Sequence, residues 1–434
     1  MKIAIVIGTR PEIIKMASVI DEIQKRNFEM VLLHTGQHYD KEMSDNFFTD
    51  LKLPNPKYNI HVGSGTHGKQ TGLMMEGIEE ILTDEKPDIL LVQGDTNAVL
   101  AGALVASKLH IPVGHVEAGL RSFDNSMPEE INRKVADVCS QMFFVPTEES
   151  AINLLSEEIP KEEIFLTGNT IVDACFRNLE IAKDKNTNES LYDLSNILTV
   201  TMHRAENVDN KERLSSIVQA LKELTAMNII FPIHPRTKIA LEKFNLLKDL
   251  ENSEHIHLTL PMGYLEFLLL LSKSSLILTD SGGLQEEAIT LNIPTLTLRY
   301  NTERPETVSA GGNILVGADK EKILEYTNKI LNDADFRETM KNAQNPYGDG
   351  KSGEKILDAI EKSYNKGLLN IQSPEDIMVL FKKKIINVKE NITVNEFEKK
   401  YNTRIKLVYD NKMHFPFDNL NLNNMMVVYD QYET

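Results

Sequence analysis

Cysteine is scarce in this chain: Cys139 and Cys175 are the two present in 434 residues. They stand in different segments and form no CxxC pair. That excludes a disulfide framework and a thiolate metal site, and it suits a reducing compartment. Positive charge is also in deficit. A formal net charge of −17 argues against nonspecific binding to nucleic acid or to an anionic membrane surface. Any anion must therefore be met by local arginines, lysines, histidines and helix ends. No apolar run approaches the roughly 20 residues that a membrane helix needs. The N-terminus starts a short strand and lacks a small-residue cleavage site, so it does not read as a signal peptide. An EF-hand loop, a P-loop serine and an HExxH pattern are all missing, which leaves metal binding the weaker reading of the chain's carboxylates. These absences describe a soluble, cytoplasmic protein without nucleic-acid or membrane partners.

What is present is alternation. The length allows two or three domains, each with its own core. Short apolar runs at Ile3–Ile7, Met30–His34, Ile89–Val92, Pro112–Val116, Met142–Val145 and Ile164–Leu166 read as strands. Amphipathic patterns such as Glu12–Lys25, Gln70–Leu82 and Thr96–Leu109 fit between them as helices. A second series runs Ile197–Met202, Ile229–Ile233, His257–Leu260, Leu276–Leu278, Thr295–Leu298 and Ile314–Val316. Strands apolar on both faces and separated by helices imply a parallel sheet covered on both sides. The expected fold class is α/β, with two doubly wound Rossmann-like domains facing across a cleft at the carboxyl ends of their strands. Expected boundaries are 1–170 for an N-terminal domain carrying acid and base carboxylates, 171–367 for a C-terminal nucleotide domain, and 368–434 for an extension of unknown role. A helix over Gly353–Asn365 ends the second domain and is free to pack back on the first. Polar residues from Lys183 to Glu189 read as a linker or surface loop. In the extension a helix over Glu375–Ile385 and a strand over Thr403–Val408 are the readable elements, and no motif stands out.

Chemistry is carried by the turns after the strands. Thr279-Asp280-Ser281-Gly282-Gly283-Leu284-Gln285-Glu286-Glu287 follows an apolar strand and opens a helix. Small residues there let backbone N–H groups approach a phosphate or diphosphate. The plainer reading is a helix cap at Asp280 or Ser281. Gly8-Thr9-Arg10-Pro11 follows the first strand, with Pro11 suited to a first helical position and Arg10 and Lys15 able to reach an anion. Gly63-Ser64-Gly65-Thr66-His67-Gly68 formally matches GxGxxG, but a dinucleotide fingerprint belongs after the first strand of its unit. It reads instead as a mobile glycine loop near the cleft, with a nicotinamide cofactor the minority view. Asp95 ends the third core strand, either as a helix N-cap or as a working carboxylate, and Glu117 ends the fourth. Glu129 opens the next helix, so the three carboxylates are expected at one edge of the sheet. Close carboxylates have raised and separated pKa values, as acid and base roles require. In the second half His203, His234 and Arg304 follow strands in the same way.

Taken together the motifs resemble one family, the non-hydrolysing UDP-N-acetylglucosamine 2-epimerases. They are GTRPEIIK (Gly8–Lys15), GQH (Gly36–His38), GDT (Gly94–Thr96), HVEAGLRS (His115–Ser122), MPEEINR (Met127–Arg133), HRAEN (His203–Asn207), HPRT (His234–Thr237), LTDSGGLQEE (Leu278–Glu287) and TERPE (Thr302–Glu306). They occur in the family's order from Met1 to about Gly367. The resemblance implies the glycosyltransferase-B architecture and interconversion of UDP-N-acetylglucosamine and UDP-N-acetylmannosamine without nicotinamide or metal. It also implies a homodimer that supplies N-acetylmannosamine units for cell-surface polysaccharides.

By this resemblance Asp95, Glu117 and Glu129 are the carboxylates near the sugar, and His203 protonates or holds the leaving phosphate. Lys15 joins the catalytic set and, with Arg10, Ser281, Gly282, Gly283 and Glu287, the nucleotide site, where Glu287 takes ribose hydroxyls. Arg304 and Phe267 line the same pocket, Phe267 near the base. Gln37, His38 and His234 match the family's activator site for a second UDP-N-acetylglucosamine, but Leu73 stands where bacterial members carry an arginine. Rival readings are an epimerase of the same mechanism on a modified UDP-sugar such as a diacetamido uronic acid, a glycosyltransferase of the same architecture, and a non-catalytic nucleotide-sugar sensor.

Overall fold

A computed structural model of the chain describes residues 1–36, 47–184, 194–369, 380–401, 403–409 and 419–433. The chain forms two compact units, Met1–Thr170 together with Gly350–Thr434, and Ile171–Asp349. Each unit is built on a parallel sheet, and its strands are buried because helices cover both faces.

The first unit holds seven strands: β1 (Lys2–Ile7), β2 (Glu29–His34), β3 (Tyr58–Asn59), β4 (Ile89–Gln93), β5 (Val113–Val116), β6 (Met142–Val145) and β7 (Ile164–Leu166). Their order across the sheet is β3-β2-β1-β4-β5-β6-β7. Strand order therefore reverses between β1 and β4, and their carboxyl ends carry the turns Gly8–Pro11 and Gly94–Thr96. That reversal is where ligands enter open α/β sheets. Val6 of β1, Val31 and Leu33 of β2, and Leu90 and Val92 of β4 share one apolar cluster with Ala98, Val99 and Ala103 of the helix Asn97–Lys108.

The second unit repeats the plan with β8 (Ile197–Thr201), β9 (Asn228–Pro232), β10 (Ile256–Thr259), β11 (Leu276–Thr279), β12 (Thr295–Thr297) and β13 (Asn313–Leu315). Their order is β10-β9-β8-β11-β12-β13, all pairs parallel, so the reversal falls between β8 and β11. Two doubly wound sheets in one chain are the glycosyltransferase-B class of fold. Most strands sit where apolar runs place them. β3 is the exception, because two residues at a sheet edge leave no periodicity to read.

Several local expectations change. Lys183 and Asp184 belong to the helix Thr170–Asp184 and not to a loop, while residues 185–193 lie outside the described residues. The glycine stretch Gly63–Gly68 follows β3, an edge strand, and by His67 the chain is already in the helix His67–Glu85. It therefore does not follow the first strand of its unit, as a dinucleotide fingerprint must, although His67 Nδ1 lies 3.2 Å from Asn97 Nδ2 beside the reversal. The helix Ser352–Asn365 packs on the helix Arg10–Lys25. Gly353 makes that approach possible, since a Cβ there would stand 2.8 Å from the Ser18 carbonyl oxygen. Arg26 closes the contact through Asp358 at 2.7 Å and Glu361 at 3.0 Å.

Within the extension, Leu380–Asn387 is a strand, β14, where a helix was expected, and residues 375–379 lie outside the described residues. It pairs antiparallel with β16 (Met426–Glu433), which also takes β15 (Ile405–Tyr409) on its other side. Ladder pairing along all eight residues overrides the helical preference of Lys382-Lys383-Lys384. With the helix Val394–Tyr401 this sheet buries Val394, Phe397, Ile405, Val408, Leu422 and Val427 in one cluster with Ala118, Phe143, Ala151, Leu154 and Leu155 of the first sheet and its helix Glu148–Ser156. The extension therefore shares a core with the first unit. We predict that Phe397→Ala costs about 3–5 kcal/mol and lowers the unfolding midpoint of the first unit, followed in urea by a probe placed in that unit. A variant in which only the extension melts early would show that it folds separately.

Candidate active site

In the first unit the site grows from the reversal between β1 and β4. Glu12, at the third position of the helix Arg10–Lys25, is buried at 2% exposure. It accepts hydrogen bonds from the backbone N–H groups of Gly8 and Thr9, the latter at 2.9 Å, and from the Thr96 hydroxyl. One carboxyl thus ties the turn after β1 to the turn after β4. Burial is the main reason its pKa rises to about 7, and the nearby Asp95 charge adds to the rise while its hydrogen bonds oppose it.

Thr96, not Asp95, caps the next helix, its side chain accepting from Ala98 N and Val99 N. Asp95 is thereby released for other work. Its carboxylate, about one-third exposed, takes the Arg133 guanidinium, and its carbonyl accepts from Asn132 Nδ2 at 2.9 Å. Arg133 and Asn132 both lie on the helix Pro128–Cys139, which Pro128 opens. Glu129 stands exposed in the first turn of that helix, whereas its neighbour Glu130 is buried. Glu130 accepts from Ser122 N at 2.9 Å and Phe123 N at 3.1 Å and pairs with Arg133 at 3.0 Å, a structural role.

Glu117 ends β5 in the left-handed region at φ +70°, an unusual conformation for a residue with a side chain. The following Gly119 explains why the turn is tight: at φ +78° its backbone lies so close to the helix Glu148–Ser156 that a Cβ would meet the Ser150 carbonyl oxygen at 2.3 Å. The Glu117 carboxylate is turned inward. Lys15 Nζ reaches both of its oxygens at 2.7 Å, Asn169 Nδ2 donates at 3.4 Å, and Gln93 Nε2 donates as well. Lys15 and Glu117, 102 residues apart in the chain, form one buried pair. Arg10 is exposed at the head of its helix, with its guanidinium 5.5 Å from the Phe47 ring.

In the second unit the reversal between β8 and β11 is closed by Asp280, fully buried. Its carboxylate accepts from His203 N at 3.0 Å, Arg204 N at 2.9 Å and Asn207 Nδ2 at 3.2 Å, and it faces His203 Nδ1 at 3.2 Å. Burial alone would raise this carboxyl, but the hydrogen bonds and the His203 ring hold it below its ordinary value. Asp280 is therefore not a helix cap. Ser281 occupies the N-cap position without a side-chain capping bond, and the helix Gly282–Thr290 begins with the two glycines. A Cβ on Gly283 would meet nothing within 4 Å, so nothing among the described residues demands glycine there. A closely approaching ligand at the helix N-terminus would.

His203 is partly exposed, its Nδ1 engaged and its ring 5.7 Å from that of His234. Glu287 lies half-buried beside Tyr264 and Cys175. Arg304 is held by the buried Glu286, and Phe267 is half-buried on the helix Tyr264–Lys273. Of the activator residues, Gln37 and His38 lie outside the described residues. His234 caps the helix Pro235–Lys243, accepting from Arg236 N at 3.2 Å, and Leu73 is 41% exposed. Among the described residues no group of histidine, cysteine and carboxylate side chains is arranged to hold a metal ion, and no helix is long and apolar enough to cross a membrane.

Several working residues escape sequence reasoning: Glu12, Gln93, Arg133 and Asn169 around the carboxylates, and Asp280 and Glu286 behind the glycine turn. Glu12 and Asp280 lie within motifs, GTRPE and TDSGG, but no local pattern says that a carboxyl is buried across a sheet.

Comparison with known proteins agrees with this geometry. Residues 21–361 match the family model described as UDP-N-acetylglucosamine 2-epimerase. The chain belongs to that family. It is 54% identical over 365 residues to the UDP-N-acetylglucosamine 2-epimerase of Methanocaldococcus jannaschii, covering 82% of this chain and 98% of the relative. The crystal structure of the M. jannaschii enzyme in complex with UDP-GlcNAc and UDP aligns with a TM-score of 0.70 and 52% identity, over 83% of this chain and 100% of that one. A relative from Pseudomonas aeruginosa, UDP-2,3-diacetamido-2,3-dideoxy-D-glucuronate 2-epimerase, is 40% identical over 83% of this chain and 100% of its own length. By family this chain is an isomerase, a UDP-N-acetylglucosamine 2-epimerase.

The buried Glu12 yields a prediction with a definite sign. The folded protein keeps a proton on this carboxyl up to about pH 7, against 4.5 for the ordinary group. Between those values the folded state binds more protons than the unfolded one, so this group's contribution to stability falls as pH rises through the window. Glu12→Gln mimics the neutral form and removes the effect. Relative to wild type, the variant should gain on the order of 3 kcal/mol between pH 4.5 and pH 8, read from urea midpoints. Parallel stability curves for the two proteins would show that Glu12 is not buried as a neutral acid.

Proposed function

We propose that this epimerase interconverts UDP-N-acetylglucosamine and UDP-N-acetylmannosamine by eliminating UDP and adding it back. The C2 proton of the sugar has no neighbouring carbonyl, so its removal alone is too costly. Removal of that proton together with cleavage of the C1–O bond gives a 2-acetamidoglucal and UDP. Re-addition of UDP to C1 and of a proton to the opposite face of C2 completes the inversion. The steps need a base, an acid on the other face, and stabilisation of the departing diphosphate.

The observation that carries the reading is the Glu117 carboxylate: buried, held on strained backbone, and gripped by Lys15, Gln93 and Asn169. A carboxylate so confined serves proton transfer rather than solvation. We assign Asp95, Glu117, Glu129, Lys15 and His203 to catalysis, with His203 steadied by Asp280 for the leaving phosphate. Arg10, Ser281, Gly282, Gly283, Glu287, Arg304 and Phe267 take the nucleotide. Gln37, His38 and His234 are the residues of the activator site, and Leu73 replaces its arginine. The proposal extends to a cytoplasmic homodimer. A second reading, the same reaction on a diacetamido uronic acid sugar, is favoured by the name of the P. aeruginosa relative.

Incubation with each UDP-sugar in D₂O, followed by NMR at C2, tests the mechanism and the substrate together. The expected product is the C2 epimer carrying deuterium; an epimer that retains protium at C2 would refute elimination. Faster turnover of the diacetamido sugar would establish the second reading. Glu117→Gln should lower the exchange rate by about 10²–10⁴-fold while leaving UDP affinity nearly unchanged. Collapse of UDP binding in that variant would make Glu117 a nucleotide ligand. Light scattering reports the dimer: a monomer mass would contradict it.

A further inference from the structure

His115 lies in the middle of the first site without facing outward. It sits on β5 with no exposed surface. Its Nε2 is 2.8 Å from the Gly94 carbonyl oxygen and its Nδ1 2.6 Å from Asp137 Oδ1. A backbone carbonyl can only accept, so Nε2 carries a proton. Asp137, on the helix Pro128–Cys139, also accepts from Arg121 Nη2 at 2.7 Å and from the Gly119 N–H at 3.3 Å through its other oxygen. Despite burial, the permanently charged Arg121 guanidinium and the N–H on Oδ2 hold the Asp137 carboxyl below its ordinary range. An ionised carboxylate can only accept, so Nδ1 carries a proton too. His115 is an imidazolium.

The other charges facing it complete a balanced group. Arg121, whose side chain is wholly buried, makes a bidentate pair with Glu157 at 2.7 and 2.6 Å at the end of the helix Glu148–Ser156. Two positive and two negative groups therefore share this pocket. Burial by itself would lower the histidine pKa, but the charge of Asp137 and the two hydrogen bonds raise it.

What the pair touches gives it a function. Gly94 immediately precedes Asp95, and its turn, at φ +82°, is clamped on both sides by β5: its N–H donates to the Val116 carbonyl at 3.1 Å, and its carbonyl accepts from His115. The Gly119 N–H belongs to the turn that holds Glu117. We propose that His115 and Asp137 are positioning residues for the reaction, an imidazolium–carboxylate pair that locks the Gly94–Asp95 turn to the Glu117–Gly119 turn and so sets the spacing of the two carboxylates. The role rests on the elimination reading given above.

The wild-type enzyme is first shown to place deuterium at C2 in D₂O; failure there removes the functional reading itself. With that exchange in hand, His115→Gln and Asp137→Asn are compared with wild type for kcat, KM and pH profile. Expected for both is a fall in kcat of about 10–100-fold, the cost of a small misplacement of reacting groups, with KM held within about threefold. The alkaline limb that marks loss of the His115 proton in the wild type should vanish in His115→Gln. An unchanged kcat, or a loss confined to KM, overturns the proposal. If either variant does not fold, ¹⁵N spectra of histidine-labelled wild type decide: both His115 ring nitrogens protonated at neutral pH is the expected signature, and a neutral tautomer refutes it.

Discussion

A buried carboxyl crosses the point of strand reversal in each parallel sheet, and the polar groups of each unit are arranged around its own crossing. In the first unit Glu12 binds the backbone after β1 and the Thr96 hydroxyl after β4. In the second Asp280 binds the backbone after β8 while standing after β11. Parallel strands part company at a reversal, because the helices that follow them leave on opposite faces of the sheet. The resulting gap exposes backbone N–H groups that no ladder can satisfy. A carboxyl placed there satisfies several at once and fixes two turns against each other. The difference between the two lies in charge: Glu12 titrates upward because burial dominates, whereas Asp280 is held ionised by donors that include the His203 ring.

Around the first crossing the polar groups form successive layers. Lys15, Gln93 and Asn169 hold the Glu117 carboxylate, Arg133 holds Asp95, and behind both lie His115, Asp137, Arg121 and Glu157. Removing any one member of such a buried group leaves its partners unpaired in a low-dielectric setting, which costs far more than the pair contributes. The strained backbone at Glu117 is tolerated because Gly119 and Ser150 hold the turn against a helix.

The extension reaches this region from behind. Its sheet and helix share an apolar cluster with Leu154, Leu155 and Ala118, and Ala118 lies between Glu117 and Gly119 in the chain. Residues beyond the family's motifs are thus built into the support of the Glu117–Gly119 turn, through ordinary hydrophobic packing rather than through any recognisable motif.

How much of this is legible in the chain follows from the range over which each interaction acts. Runs apolar on both faces mark the strands of the two parallel sheets except β3, because a parallel sheet buried by helices needs them, and glycine, proline and capping residues mark the turns after them. Local order of motifs suffices for the family. It fails where the deciding contact is remote in sequence. Asp280 reads as a helix cap until its partners, 73 to 77 residues away, are known. Asp95 competes with Thr96 for the same cap, and only Arg133, 38 residues on, shows which residue is freed. Leu380–Ile385 reads as a helix because β16, its pairing strand, lies far along the chain at Met426–Glu433. The amino-acid order by itself determined the two sheets, their turns and the family; tertiary structure alone decided which acids are buried, which are held by a cation, and which crossing each one closes, since burial and pairing are properties of neighbours in space.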